Sequence, residues 1–437
     1  MKKIVCLILT LILMISLVAC GAADSPDGEL NGGGYGGDLV IDGIAGDSAD
    51  KGGIGGWLDG IFGDKAEGEA MPEAPSFDSS VSDSMSPSEE PGSTGDKPQI
   101  GSGMLTAGEW KDLEDIAFWK KVLNNNDWYQ LMETRNLFAN KIVEVLVLDN
   151  NQNPCFNIPV VLKDNQGNII YNAITDVYGK AYLLYDLTNK NQNVGTVCVR
   201  DMESSPVVDG VITFVLDASS SPKQLDLMFM VDTTGSMGDE ISYLQAELRD
   251  VIRRVSESKE ELSINLSVNF YRDNGDDYVV RSYEFTSDIE AAIGKLNKES
   301  ANGGGDYPEA VHKALDDIVN NHQWRTDAVK LCFMVLDAPP HTEQEIQGIN
   351  ANMTTSVVKM AEKGIRLIPL ASSGVNTETE FLLRSWAVMT GGTYTFLTNH
   401  SGIGGDHLEP TIGEYEVEKL NDLLVRVIKE YSGISQK

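Results

Sequence analysis

Basic residues are scarce in this chain. Lys and Arg number 34 against 66 Asp and Glu, a formal net charge of −32 over 437 residues. Nucleic-acid binding draws on a basic surface that displaces phosphate counterions, so that class of partner is excluded. Histidine is scarcer still, with five residues, and no zinc-ligand spacing, Cys/His pair or Ser/His/Asp set stands out. Cysteine is equally sparse at five, and Cys332, inside an apolar stretch, reads as core filler. Long apolar runs are nearly absent. The one at the chain start, Ile4 to Val18 behind Lys2 and Lys3, is too short for a stable membrane span and reads as a secretory signal.

The residues closing that run set the expected location. Leu17-Val18-Ala19-Cys20 resembles the lipobox of bacterial lipoproteins, which implies a signal peptide over 1–19 and lipidation of Cys20. The alternative is a plain signal peptide with an incidental Cys. Several acyl chains on one residue anchor a protein stably where a single chain does not. The expectation is a lipid-anchored membrane protein facing outside the cytoplasm. Residues 20–103 then read as a tether. Positions 21 to 103 hold 20 of the 42 glycines and only three basic residues, too little apolar surface to offset the entropy of ordering. Ile54, Trp57, Leu58, Ile61 and Phe62 form one apolar island at helical spacing within it.

Residues 104–138 carry Trp110, Phe118, Trp119, Trp128 and Tyr129 and read as a helical lead-in. From 139 to 217 the texture becomes short alternating stretches separated by turn signals, such as Asn165-Gln166-Gly167, which predicts a small β-sandwich. The run from Ile158 to Leu183 resembles the sandwich modules of bacterial surface proteins and carboxypeptidase regulatory domains, implying a spacer or scaffold. Cys155 and Cys198 both fall here. In an oxidising setting they form either a disulfide or two separate buried thiols.

The chemistry concentrates further on, at Leu225 to Gly238, LDLMFMVDTTGSMG. Leu225 to Val231 reads as a strand buried on both faces. Asp232, Thr234 and Ser236 follow at alternate positions, three small oxygen donors suited to Mg²⁺ or Mn²⁺. The same residues would equally serve an ordinary strand-to-helix turn, with Asp232 or Ser236 as the helix cap. Beyond them strands and helices alternate. Ile241, Leu244, Leu248, Val251, Ile252 and Val255 share one helix face; a strand is expected over Leu262 to Tyr271 and a hairpin partner over Tyr278 to Phe285. Helices are expected over Ile289 to Asn297 and over Pro308 to Asn320, with Pro308 in the first turn. A second apolar strand, Val329 to Leu336, also ends on an acid, Asp337. This alternation predicts an α/β, doubly wound (Rossmann-like) domain over 222–433, with ligands beyond the carboxyl ends of its strands where strand order reverses.

Three ordered motifs, DTTGSM, GGGDYPEA and LDAPPH, together with YRDNGDDY at Tyr271 to Tyr278, resemble a von Willebrand factor A (VWA) domain. The resemblance implies a metal-ion-dependent adhesion site. Thr234 and Ser236 would coordinate a divalent cation directly, Mg²⁺ first with Mn²⁺ or Ca²⁺ as alternatives, and Asp232 and Asp337 would hold it directly or through water. Asp306 falls where many members carry a Thr ligand, and its other reading is a cap for the helix near Pro308. Three carboxylates would leave a local charge near −1 and a weaker hold on an acidic partner. Asp273 reads as a residue of the site rim or of a turn, and Glu309 as a first-turn helix charge.

The function implied is binding rather than catalysis: a protein ligand offering a carboxylate or other oxygen donor to the cation, on a membrane-anchored adhesion module. Two alternatives stand beside it. One is an envelope scaffold with a vestigial metal site. The other is phosphoryl transfer through an aspartyl phosphate, since DTTGS resembles the Asp-Lys-Thr-Gly-Thr motif of transport ATPases. Thr233 stands where those enzymes have Lys, and Thr234 where their phosphatase relatives have a second Asp.

Overall fold

A computed structural model describes residues 105–206, 210–217, 221–259, 261–401 and 407–434. The signal peptide, Cys20 and the tether lie outside the described residues.

The chain enters as strand β1 (Thr106–Trp110), then helices α1 (Ile116–Leu123) and α2 (Asn126–Arg135). Seven strands come next: β2 (Ile142–Asp149), β3 (Pro159–Asp164), β4 (Ile169–Ile174), β5 (Lys180–Leu184), β6 (Val194–Val199), β7 (Met202–Ser204) and β8 (Val211–Leu216). They form a three-stranded sheet ordered β5-β2-β8 and a four-stranded sheet ordered β4-β3-β6-β7. Inward residues of both sheets, among them Val145, Leu183 and Phe214 from one and Leu162, Tyr171 and Val197 from the other, share one apolar core. Alternation along β2 and β8 is strict, as expected when one face of a sheet is covered.

The remaining elements build the α/β layer. They are β9 (Gln224–Asp232), α3 (Gly238–Ser256), β10 (Ser263–Tyr271), β11 (Val280–Arg281), α4 (Ile289–Leu296), α5 (Val311–Asn320), β12 (Val329–Leu336), α6 (Ile349–Lys363), β13 (Ile365–Ala371), α7 (Thr377–Thr390), β14 (Tyr394–Leu397), β15 (Glu418–Lys419) and α8 (Leu420–Tyr431). One sheet runs β11-β10-β9-β12-β13-β14-β1-β15, with the β10-β9-β12-β13-β14 stretch parallel. Burial on both faces explains the mostly apolar runs of β9 and β12, where Phe229 stacks on Phe333 with ring centres 5.2 Å apart. All six apolar positions of the first helix face are buried in α3. From β9 the chain steps to β10 on one side and later to β12 on the other. The order therefore reverses between β9 and β12, whose carboxyl ends carry Asp232 and Asp337.

Three expectations change, and one open alternative is decided. The lead-in is not only helical: β1 inserts between β14 and β15, antiparallel to both. The hairpin partner of β10 shrinks to β11, because beyond it Ser282 turns its hydroxyl to Asp317 and the backbone N–H of Tyr283 goes to the Asn269 side chain. Helix α5 begins at Val311, since Glu309 is held extended by a parallel bridge to Pro340, with its N–H donating to Pro339 O at 2.9 Å. Finally, no disulfide joins Cys155 and Cys198. Val197 and Val199 point into the shared core with Cys155, so Cys198 between them faces the other side of its sheet, beside Glu203.

The lead-in is bound to the α/β layer through charge. Arg384 on α7, fully buried, grips Asp112 with two nitrogens at 2.6 and 2.9 Å and also reaches Glu380 and the Thr411 carbonyl. Its guanidinium lies 5.1 Å from the ring centres of both Trp119 and Trp128. The sandwich docks nearby. Tyr171 donates to Met389 O at 2.6 Å, and Arg366 joins Thr390 O to Ile174 O. Arg384→Ala would strand Asp112 and Glu380 as buried charges. The expected loss is about 3–5 kcal/mol in denaturant unfolding, several times the loss from an exposed pair such as Arg249→Ala.

Candidate metal centre

Asp232 is the last residue of β9 and is fully buried. One carboxylate oxygen, Oδ1, accepts the Thr234 N–H at 2.9 Å and the Thr234 hydroxyl at 2.7 Å. This closes the loop tightly on itself. The other oxygen, Oδ2, is buried without a hydrogen-bond partner among the described residues. Neither Asp232 nor Ser236 caps a helix: Thr234 precedes the short 3₁₀ turn Gly235–Met237 and Met237 precedes α3, neither with a side-chain cap bond. Asp232 thus closes a turn onto Thr234 with one oxygen without capping a helix, and its other oxygen is left for something else.

Asp337, one residue past β12, is buried with Oδ1 likewise unpartnered. The Ser236 hydroxyl faces it and works against the upward pull of burial on its pKa. The glycine loop closes the third side. Gly235 N–H donates to Gly303 O at 3.1 Å, and Asn302 N–H to Thr233 O at 3.0 Å, so this loop is zipped to the first. Gly304 has φ +68°, and a Cβ there would stand 3.0 Å from Glu309 Oε1 and 3.2 Å from Thr234 Cβ. Only glycine brings the loop so near Thr234.

Glu309 departs from its expected place. It is no first-turn helix charge but is 3% exposed, with Oε2 buried and unpartnered. Burial raises its carboxyl to about 9, helped by the negative charges of Asp232, Asp273, Asp337 and Asp276. Asp232 is pushed up to about 7, first by burial and then by Asp337. Glu240, in the first turn of α3, is raised to about 7, mainly by burial. No basic side chain among the described residues pairs with Asp232, Glu309 or Asp337. Like charges this concentrated either take up protons or share a cation.

Two neighbours steady the frame. Tyr278, from the YRDNGDDY segment, places its hydroxyl 2.6 Å from the Thr233 hydroxyl and 2.7 Å from Glu299. Arg135, at the end of α2 and 2% exposed, donates to the carbonyls of His341 and Pro340 at 2.8 and 3.1 Å. The lead-in thus braces the loop after Asp337, a contact invisible in a linear motif. Asp306 is exposed, and its carboxylate groups with His341 and Glu345. It does not cap α5, whose N-cap is Ala310 without a side-chain bond. Asp273 is buried, with Oδ1 2.7 Å from His341 Nε2.

A Ser/His/Asp group exists after all, in Ser282, His322 and Asp317. Both Ser282 and Asp317 approach the same imidazole nitrogen, Nε2, at 3.1 and 2.9 Å. A proton relay needs the acid on one nitrogen and the hydroxyl on the other, so this cluster is a structural knot.

Residues 226–397 match the family model described as von Willebrand factor A domain. This stretch is a VWA domain. Curated relatives share parts of the chain. A putative ariadne-like RING finger protein of Acanthamoeba polyphaga mimivirus is 33% identical over 120 residues, covering 27% of this chain and 11% of its own. Alpha-protein kinase vwkA of Dictyostelium discoideum is 26% identical over 135 residues, 30% of this chain and 21% of its own. The von Willebrand factor A domain-containing protein 7 of Mus musculus is 38% identical over 90 residues, 21% of this chain and 10% of its own. The chain spans only about a tenth to a fifth of these relatives' length. VWA domains commonly bind divalent cations, and the VWA donor set here fits one: hard oxygens, three of them buried and unpartnered. Thr234, Ser236, Asp232, Asp337 and Glu309 are the residues available to hold it.

The raised carboxyls make stability depend on pH in a stated direction. Their folded pKa values lie above the ordinary carboxylate range, so the native state binds the extra protons. The stability these groups allow is present at low pH and lost as pH rises from about 4 through 7 towards 9. Thermal unfolding in chelator is expected to show a midpoint that falls between about pH 5 and about pH 9, with saturating Mg²⁺ removing most of the fall. Asp232→Asn should flatten the chelator curve. A chelator curve that rises over this range would contradict the assignment.

Proposed function

We propose that this protein is a cell-envelope lipoprotein whose VWA domain binds a protein partner through a divalent cation. VWA domains serve protein interaction and adhesion. The observation that supports a cation-dependent form of that role here is the set of buried, unpartnered oxygens of Asp232, Asp337 and Glu309 at the point where strand order reverses. On this reading Thr234 and Ser236 coordinate through their hydroxyls. Asp232 and Asp337 balance the ion's charge, and Glu309 contributes the third carboxylate from the glycine loop. The open position takes an oxygen of the partner. Mg²⁺ suits the hard, compact donor set, with Mn²⁺ next.

We read the domain as non-enzymatic, supported by the relay-incompetent geometry of Ser282, His322 and Asp317. The lipid anchor rests on Cys20 and its preceding residues, as does the placement outside the cytoplasm.

The deciding experiment is calorimetric titration of the full chain with Mg²⁺, Mn²⁺ and Ca²⁺ beside Asp232→Ala. Asp232→Ala is expected to weaken binding by about tenfold or more. Equal binding by the two proteins would leave a scaffold whose metal site is vestigial. Partner capture from envelope extracts should be lost in chelator and restored by Mg²⁺, and radiolabelled fatty acid should be incorporated by the chain but not by Cys20→Ala.

A further inference from the structure

His341, in the loop after β12, is 8% exposed and is held from both sides. Its carbonyl is fixed by Arg135, and its Nε2 lies 2.7 Å from Asp273 Oδ1, itself buried. With the proton on Nε2 donated to Asp273, the lone pair is on Nδ1. A carboxylate behind an imidazole, fixing tautomer and ring direction, is how proteins prepare a histidine to ligate a metal. Among the described residues Nδ1 has no hydrogen-bond partner within 3.5 Å, and it faces a carboxylate. Its nearest acid is Glu345, with Oε2 at 3.6 Å. That separation is too long for a hydrogen bond. It is close to the edge spanned by two donors of one ion, since ligands about 2.1 Å from a metal at a tetrahedral angle stand about 3.4 Å apart.

The third donor is Asp306. One carboxylate oxygen of Asp306, one of Glu345 and one imidazole nitrogen of His341 all lie within 4.8 Å of one another. Glu345, though exposed, is not loose: its Oε2 accepts the Thr342 N–H at 2.6 Å and the Thr342 hydroxyl at 2.8 Å, which aims the carboxylate and leaves Oε1 unused by that turn. A second imidazole, His312, stands edge-on with ring centres 6.5 Å apart, and its buried Nδ1 has no hydrogen bond among the described residues.

We propose that Asp306, His341 and Glu345 form a second cation site beside the first, carrying one nitrogen donor where the first carries only oxygens, and built for Zn²⁺ or Mn²⁺ rather than Mg²⁺. Imidazole raises affinity for transition ions over Mg²⁺, which keeps its water and asks for oxygen. The glycine loop then serves two ions. Glu309 turns inward to the buried site, and Asp306, three residues earlier, turns outward to this one. This assignment of Asp306 is independent of the partner proposed for the first site.

Mn²⁺ separates the sites, because the magnetic coupling of imidazole ¹⁴N to the ion is visible by pulsed electron paramagnetic resonance and oxygen ligands give none. The full chain loaded with Mn²⁺ is expected to bind about two ions, one of them with ¹⁴N coupling, and Zn²⁺ should displace that one first. Asp232→Ala should keep the coupled ion. Asp306→Asn and Glu345→Gln, both at exposed positions that leave the core intact, should each weaken the coupled ion by about tenfold or more and spare the other. His341→Gln should abolish the coupling. An unmutated chain without ¹⁴N coupling would overturn the second site while leaving the first standing. So would coupling that survives the Asp306, Glu345 and His341 substitutions at undiminished affinity. Failure of the first site alone would appear as Asp232→Ala binding no less than the unmutated chain.

Discussion

Three carboxylates meet at the carboxyl ends of β9 and β12, and no basic side chain among the described residues pairs with them. Asp232, Asp337 and Glu309 are buried, each keeps one oxygen without a hydrogen-bond partner among the described residues, and burial, with their mutual repulsion second, lifts the proton affinities of Asp232 and Glu309. Elsewhere the chain treats buried acids differently. Asp112 is held by Arg384, Asp226 by Arg325, and Asp317 by His322 and Ser282. An unpaired buried charge costs several kcal/mol, so leaving three together at one point is a constraint that the surrounding loops must be built to tolerate. The zipped glycine loop, the tight Asp232–Thr234 turn and the Arg135 brace are the means.

Much of this frame was legible from local pattern. Mostly apolar runs ending on Asp232 and Asp337 read as strands buried on both faces, and the face of α3 followed from helical spacing. The features that were not legible were decided by tertiary pairing. Glu309 looked like a helix residue because Pro308 is a good first-turn residue; the bridge to Pro340 holds it extended and turns its carboxylate inward. Strand β1 escaped because Thr106–Trp110 is short and of mixed polarity, and its partners lie almost three hundred residues away in β14. Cys155 and Cys198 stay separate because alternation along β6 turns Cys198 away from the core in which Cys155 is buried. The Asp273–His341 pair joins residues 68 positions apart and carries no local signal.

The two histidine clusters illustrate how spatial assembly decides chemistry. Ser282, His322 and Asp317 have the residue types of a relay, yet they converge on one nitrogen. His341 has ordinary neighbours in sequence, yet its two nitrogens face different acids, Asp273 and Glu345. Residue type marks a candidate; which nitrogen faces which acid decides its role.

The α/β layer is not contiguous in the chain. It opens with β1, is interrupted by the seven strands of the sandwich, and resumes at β9. The sandwich is thus a domain nested inside another, leaving and re-entering its host at two points and stitched to it again through Tyr171 and Arg366. A module strung on one linker can swivel; one gripped at both ends is committed to a single orientation. Any traction arriving through β1 reaches the host layer through its strand pairing and the Arg384 and Arg135 contacts, not through the sandwich. The face that carries Asp232, Asp337 and the glycine loop is therefore coupled mechanically to the start of the described fold, and load applied there would be felt at Pro340 and His341.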